Sequence, residues 1–544
     1  VTAAIDREIL RTRLLAYVEE IAAVLANAAP TAEVSQAREF AVAIADGKGA
    51  IVATDNPQQL GSLAQTVAHA VRYFEFDLGD GDLIVTNDPY AGGTRVQDLT
   101  LVSPLVLDGE LVLHLAARVR IPDLGGQVSG NLYPGATELL AEGVPVTPVK
   151  IERFGRPVRD IRAALLLNGR RPEETRQVLD AAVAALGLGQ LRVRELVDGY
   201  GLDLLHAALA YAQQHAEHLA RRLIRSWRRG TYEASRVLDP ATVRLTATVE
   251  DDSVTLDFTA SDEQVPTFVN SPAGWTESCA ITAFLTVLGG GIPANSGLTR
   301  VVQVRTRPGT ITHPVSPAPV GWGAVHCGNE IVDVVAAALS EAAGESLPAL
   351  TVPRPLVLSR PGNDRSTQTD LGRWAVGGAG AVAGVDGWGA PALSGRAQLP
   401  SVEQWETEHS GATIESSEFA MDSAGAGQWT GAPGVETVVA PRPDQRYTLW
   451  TATIGHAAGG LGEGTPGRAG EVSLGTAQGW QAAPCTATEQ AFPADRLRVR
   501  LSGGGGCGNP RARERSAVLA DLADELISAE TARVTYGVGE AGDE

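Results

Sequence analysis

Lysine is almost missing from this chain. Lys48 and Lys150 are the only two among 44 basic residues in 544. Schiff-base chemistry and a phosphate-loop lysine are therefore poor assignments, and no Gly-x-x-x-x-Gly-Lys-Ser/Thr run occurs. Cysteine is sparse too. Cys279, Cys327, Cys485 and Cys507 are scattered without the paired spacing of a zinc site, so buried free thiols are expected. No uncharged apolar stretch opens the chain or approaches membrane-spanning length, which leads to the expectation of a cytoplasmic protein without membrane contact. Positive charge is in deficit: the formal net charge is −20, which argues against nucleic acid as a partner, because phosphates demand a basic surface.

The residues that are present are those of a globular protein, 44% hydrophobic and 20% charged. Their number exceeds one ordinary domain. The periodicity predicts a multi-domain α+β fold: a mixed α/β core, a long helical segment and a β-rich C-terminal region. The expected divisions are an N-terminal α/β domain over 1–160, a helical segment over 161–236, an α+β domain over 237–345, a Gly/Ala-rich segment over 346–435, and a β-rich region with a final helix over 436–544.

Apolar residues at helical spacing predict a helix over 4–28. Strands are expected at Phe40–Ile44 and Ala50–Thr54, a helix at Gly61–Tyr73, and a strand at Val144–Glu152. Helices over 162–185 and 187–229 should break around Gly187 and Gly199, where glycine is penalised. A basic cluster from Arg221 to Arg229 ends this region and suits either the helix C-terminus or an acidic neighbour. Strands at 243–249 and 254–259 form a hairpin. An apolar helix at 280–288 and another at 331–343 follow, with His326 and Cys327 just before the second, where a helix N-terminus lowers a thiol pKa. The glycine run 377–384 has only a weak strand, 373–376, before it and no helix after it, so close backbone packing explains it better than nucleotide binding. Gly503–Gly506 reads as a backbone turn, and 512–526 as the last helix.

The chain is organised around residues 80–126. Two apolar runs, Leu99–Leu107 and Leu111–Ala117, are joined by Asp108-Gly109, which favours a tight hairpin. Such a hairpin returns the closing segment Ala116–Gly126 to the side of the opening segment Asp80–Asp98. Arg95, Asp98, Arg120 and Asp123 are thereby expected in one neighbourhood, at the ends of two buried strands.

At these residues the chain resembles the hydantoinase B family, the second subunit of ATP-dependent hydantoinases and 5-oxoprolinases, which also includes subunits of acetone and acetophenone carboxylases. The resemblance rests on the Asn-Asp-Pro-Tyr-x-Gly-Gly-Thr run of Asn87–Thr94, on Asp98 and on Asp123-Leu-Gly-Gly. It continues through Leu60-Gly-Ser, Glu142-Gly-Val-Pro, Ile292–Gly297, Pro317–Val320, Asp422–Gly427, Gly503–Pro510 and Tyr536-Gly-Val. Metal-binding members typically read Gly-Gly-Thr-His-x-x-Asp in the first loop and His-His-x-Asp in the second. Here those positions carry Arg95 and Arg120-Ile-Pro-Asp123. The family's His before Leu-Gly-Ser is Gln59, and an acidic position in the N-terminal strand is Glu39. A guanidinium has no lone pair to offer a metal.

The resemblance implies a hetero-oligomer in which a hydantoinase A-like subunit binds ATP and Mg²⁺; the departures from the family pattern lead to the expectation that this chain binds no cofactor firmly and has lost the family's metal. The expected pairing is of Arg95 and Arg120 with Asp98, Asp123 or Glu39, replacing the charge of a lost dication; the alternative places both arginines on a solvated rim. Glu39, Asp98 and Asp123 are the candidate catalytic residues, with Glu39 as base. Arg95, Arg120, Asn87 and Asp88 are the candidate contacts to a small-molecule substrate. Three functions follow: a subunit of an ATP-dependent carboxylase, a subunit of an ATP-dependent cyclic-amide hydrolase, or a non-catalytic scaffold paralogue.

Overall fold

The computed structural model describes residues 2–362, 369–371, 376–389, 401–408, 411–452 and 454–539. The strand expected at 373–376 lies outside them apart from Val376, and the helix Val402–Glu408 lies within them. The chain is α+β and forms two compact units, Val1–Ser235 with Val243–Ile331, and Arg236–Thr242 with Val332–Glu544. Among the described residues no helix is long and apolar enough to cross a membrane.

The first unit begins with α1 (Thr2–Ala28) and the short α2 (Ala32–Ser35). Strands β1 (Phe40–Asp46) and β2 (Ile51–Thr54) lead to α3 (Leu60–Tyr73) and β3 (Leu83–Thr86). The expected hairpin is β4 (Asp98–Leu107) and β5 (Glu110–Arg120), turning at Asp108-Gly109 with positive φ at both residues. After α4 (Leu139–Glu142) come β6 (Val149–Arg153) and β7 (Arg156–Pro157), completing an antiparallel sheet in the order β2-β1-β5-β4-β3-β6-β7. The strand expected over 144–152 therefore starts late: Val144 and Val146 spend their amides on Leu124 and Asn87 in a loop.

Side chains alternate across this sheet, and the alternation decides what each face holds. Val42, Ile44, Leu99, Leu101, Leu115 and Val119 pack on Leu14, Val18 and Ile21 of α1 and on α6 (Pro172–Tyr200), which follows α5 (Arg159–Leu167). The intervening residues Asp98, Thr100, Arg118 and Arg120 are left for the opposite face, where α3 packs. The register Thr100↔Arg118 and Asp98↔Arg120 sets them side by side.

Helix α6 runs unbroken through Gly187 and Gly189, contrary to the expected break. A Cβ at Gly189 would lie 2.6 Å from Ile21 Cδ1 and 3.1 Å from Leu115 Cδ1, so this glycine lets α6 close onto α1 and β5. The break comes at Gly201, φ +83°, ahead of α7 (Leu202–Ile224). Strands β8 (Gly230–Val237), β9 (Thr242–Val249), β10 (Val254–Asp257) and β11 (Val302–Arg305) form a second sheet. The tip of the β9–β10 hairpin supplies the acidic neighbour of the basic cluster: Arg221 and Arg225 reach Asp252 at 2.9 and 3.2 Å, and Arg229 reaches Asp251 at 2.8 Å. Helix α8 (Ala273–Val287) packs on α3, and α9 (His326–Ala343) starts five residues earlier than expected.

In the second unit a four-stranded and a five-stranded sheet enclose Val357, Trp405, Val439, Leu449 and Leu497. Beside them, segments 376–381, 422–434, 458–468 and 502–508 are joined by backbone hydrogen bonds outside the named strands. Gly504 donates to the Ala432 carbonyl while its own carbonyl accepts from Gly425, and Gly506 donates to Thr465 and accepts from Leu461. A Cβ on Gly504 would sit 1.9 Å from the Ala379 oxygen, and one on Gly505 1.9 Å from the Gly459 oxygen. Gly503–Gly506 is thus a packed inner segment rather than a turn, chosen for space and not for positive φ. The last helix is split, Arg515–Ala523 and Ala529–Val534.

These two uses of glycine separate on substitution. Gly187→Ala, with nothing within 4 Å of the added Cβ, should stabilise the chain by about 1 kcal/mol through helix propensity. Gly504→Ala should cost about 3 kcal/mol or more, because backbone atoms must move. Denaturant unfolding of the two variants measures both; equal effects would contradict the packing described.

Candidate active site

Each side chain of the central cluster is placed by the hairpin and by the strand beside it. Glu39 enters at the start of β1, and its carbonyl accepts the Arg120 amide at 3.2 Å. Its Oε2 takes both Arg95 Nη2 at 3.2 Å and Arg120 Nη1 at 3.0 Å. Arg95 Nε reaches Asp98 Oδ2 at 3.0 Å, and the same oxygen accepts from the Thr94 hydroxyl. The side chains of Arg95, Asp98 and Arg120 are 14%, 10% and 11% exposed, and Glu39 is the most open at 33%. Burial alone would raise the Asp98 pKa; Arg95 and Arg120, with Thr94 and Arg118, hold it below the ordinary value.

Beneath them lies Arg118, 2% exposed. Its five N–H bonds go to uncharged oxygens: Nε to Thr100 Oγ1 at 2.9 Å, Nη1 to Gln59 Oε1 at 3.0 Å and Ser62 Oγ at 2.6 Å, and Nη2 to Thr66 Oγ1 at 2.8 Å and the Gly92 carbonyl at 3.4 Å. Burial lowers its pKa to about 10, opposed by Asp98, so it stays charged at neutral pH. The alternation of β5 carries a signal for it: Arg118 stands two residues before Arg120, on the same face.

Asp123 does not join this cluster. It is fully buried and pairs with Arg170 Nη1 at 2.9 Å, while accepting the amides of Gly125, Gly130 and Arg170. The chain turns away after Ile121, whose amide bonds Gln97, and Asp123 shapes the 123–131 loop instead. No nearby spacing marks Arg170 as its partner. Asn87 is buried with its side chain spent on the backbone: Nδ2 donates to Val96 and Val144, and Oδ1 accepts from Val146. Asp88 caps the short 89–91 turn through the Tyr90 amide.

A second buried acid has no counter-ion among its hydrogen-bond partners. Glu142 accepts the amides of Val320 at 2.9 Å and Gly321 at 2.8 Å. Burial outweighs these bonds and raises its pKa to about 8. Tyr90 beside it donates to the Ala318 carbonyl at 2.6 Å, and its pKa is raised by burial and then by Glu142. The expected activation of Cys327 is corrected here. The thiol is completely buried, and burial followed by Glu330 and Cys279 pushes its pKa well up rather than down.

Metal-binding members of the resembled family use histidines at the positions of Arg95 and Arg120, beside Asp98, and the residues present here do not fit a metal. Arg95 and Thr94 both donate to Asp98 Oδ2, a guanidinium offers no lone pair, and among the described residues no three His, Cys, Asp or Glu side chains come together as a metal-binding group.

A hydantoinase B/oxoprolinase family model matches residues 3–510. The β subunit of caprolactamase from Pseudomonas jessenii is 29% identical over 89% of this chain and 87% of its own length. The crystal structure of the ATP-dependent caprolactamase from that organism superposes with a TM-score of 0.89 at 25% identity, covering 99% of this chain and 97% of the other. A nucleotide-free acetone carboxylase structure shares the fold, with a TM-score of 0.86 at 18% identity over 98% and 79% of the two chains.

Glu142 gives this region a defined pH response. Its pKa is raised from 4.5 to about 8 on folding, so its stabilising contribution is complete below about pH 4.5 and is lost as pH rises through about 8. Melting temperatures measured from pH 5 to 9 should fall on this account, and Glu142→Gln should flatten the fall. An unchanged slope in the variant would assign the effect elsewhere.

Proposed function

This chain belongs to the hydantoinase B/oxoprolinase family, and from that premise we propose that it is one subunit of an ATP-dependent multi-subunit carboxylase that has given up the family's metal. A hydantoinase A-like partner would bind ATP and Mg²⁺ and phosphorylate the substrate or hydrogencarbonate. The observation that carries this reading is the set of ion pairs joining Arg95 and Arg120 to Glu39 and Asp98. Two guanidiniums restore the formal charge of one dication. They also spare the buried carboxylate the cost of standing unpaired, about 3–5 kcal/mol.

Fixed guanidiniums suit hydrogencarbonate, an acyl phosphate or a developing enolate, each of which needs oriented positive donors. They do not suit water activation, because a guanidinium holds its proton at neutral pH and cannot act as a base. Glu39 is the candidate base, Asp98 orients Arg95, and Arg95 and Arg120 contact the substrate. Asp123, Asn87 and Asp88 support the loops around them. Arg118 ties the floor of the site to α3. A second reading, hydrolysis of a cyclic amide, is favoured by the similarity to the caprolactamase β subunit.

The purified complex should hold far less than one transition metal or zinc ion per copy of this chain. With ATP, it should fix labelled hydrogencarbonate into an acid-stable carboxylate, and Arg120→Gln should slow that step roughly 100-fold. A full metal complement, or ATP-dependent amide cleavage without label incorporation, would put the hydrolase first.

A further inference from the structure

Glu39 holds a position that an incoming oxyanion would want. One of its oxygens receives both Arg95 and Arg120, at 3.2 and 3.0 Å, so two charged donors converge on a single oxyanion position. The group that grips is largely buried, but the gripped carboxylate is the most exposed of the four side chains. Asp98, by contrast, is buried and additionally bound by Thr94. Charge points the same way. Arg95, Arg118 and Arg120 bring three positive charges to the constellation, and Glu39 and Asp98 bring two negative ones. Arg118 contributes to the field at Asp98 while giving its own donors only to uncharged oxygens.

We infer that Glu39 is a placeholder in an oxyanion site: a carboxylate-type monoanion binds between Arg95 and Arg120 by displacing the Glu39 carboxylate towards solvent. The ligand class is a planar monoanion with two oxygens available, either hydrogencarbonate or the carboxylate of an organic substrate. A displaced Glu39 would stand next to the bound ligand, where a base is needed. This rests on the metal-free reading of the site given above, and it goes further by assigning the ligand's charge and shape and its competitor within the chain.

The test is calorimetric titration of the whole 544-residue chain at fixed ionic strength with acetate, hydrogencarbonate, inorganic phosphate and neutral acetamide. The expected result is one saturable monoanion site per chain, about tenfold tighter in Glu39→Gln because the internal competitor has lost its charge. Addition of Arg120→Gln to that variant should abolish binding. Glu39→Ala serves in place of Glu39→Gln should the latter not fold. Saturation by hydrogencarbonate alone would name the carbon donor, and saturation by acetate would name the substrate's carboxylate. Binding unchanged or weakened in both Glu39 variants, tighter phosphate than monoanion binding, or no anion binding at all would overturn the proposal. Metal content separates the two layers: a metal-free chain without anion binding defeats only the placeholder, whereas one metal per chain defeats the reading beneath it.

Discussion

A guanidinium carried on an interior strand has five N–H groups to satisfy, and the way Arg118 satisfies them fixes the geometry of everything above it. Its partners come from β4 through Thr100, from α3 and the residue before it through Gln59, Ser62 and Thr66, and from the 87–94 loop through the Gly92 carbonyl. Ser62 reinforces the last link by donating to the same carbonyl at 2.6 Å. Three separate pieces of chain are therefore tied to one side chain, and a shift of any of them would leave a buried polar group unpaired. Thr94 and Arg95 follow directly from the tied loop. Asp98 and Arg120 lie one pleat further along the two strands. Their pairing is thus inherited from a hydrogen-bonded floor and does not depend on exposed ion pairs, which taken alone contribute little.

The parts of this arrangement that were legible in the sequence are those set by local rules. The Asp108-Gly109 turn and its flanking apolar runs specify a hairpin, and a hairpin brings Asp98 and Arg120 to the same end; the turn alone would set Asp98 opposite Val119, and a bulge between Leu105 and Val106 shifts the register by one residue to Arg120. The pairing of Glu39 with both arginines was among the expected pairings because the family resemblance marks Glu39 as the acidic position of the N-terminal strand. Asp123 was misplaced because strand periodicity carries no information once a strand has ended. The hairpin does return Asp123 to the same end, but Ile121 bonds Gln97 and the chain turns off towards Arg170, a partner 47 residues away. Arg118 was within reach, since a charged residue two positions from Arg120 in an apolar strand must share its face. What the sequence does not carry is the ring of hydroxyl groups from α3 that makes a buried cation tolerable there.

Glycine shows the same boundary between local and tertiary information. At Gly201 the positive φ is a local property, and the helix break near it was expected within two residues. At Gly189 the glycine answers a contact with Ile21 and Leu115, elements far away in sequence, and propensity alone read it as a break. Gly503–Gly506 extends this to a whole segment. Each residue there meets a carbonyl of another segment at a distance no Cβ could share, so the backbone itself is the packing surface, and its amides and carbonyls must be satisfied by neighbours on several sides. A row of glycines reads locally as a turn because turn chemistry is local. The tertiary reason for it appears only when four segments are assembled.

The proposed change of site chemistry is consistent with how little of the fold it touches. Asp98 is held by Thr94 and by its strand register as well as by Arg95, so the carboxylate stays in place whichever cation faces it. Guanidiniums differ from a metal ion in one respect that matters for function: they hold carboxylates by directional hydrogen bonds to particular N–H groups and cannot draw a proton from water. The guanidiniums can orient and stabilise a negative group, but they cannot themselves generate a nucleophile, which leaves Glu39 as the candidate base in the pocket. Activation beyond that base then falls on chemistry supplied from elsewhere, which is the division of labour expected when a partner subunit makes the phosphorylated intermediate. Under this reading the arginines do not repair a damaged metal site. They narrow what the site can do, from making a reactive oxygen to receiving one.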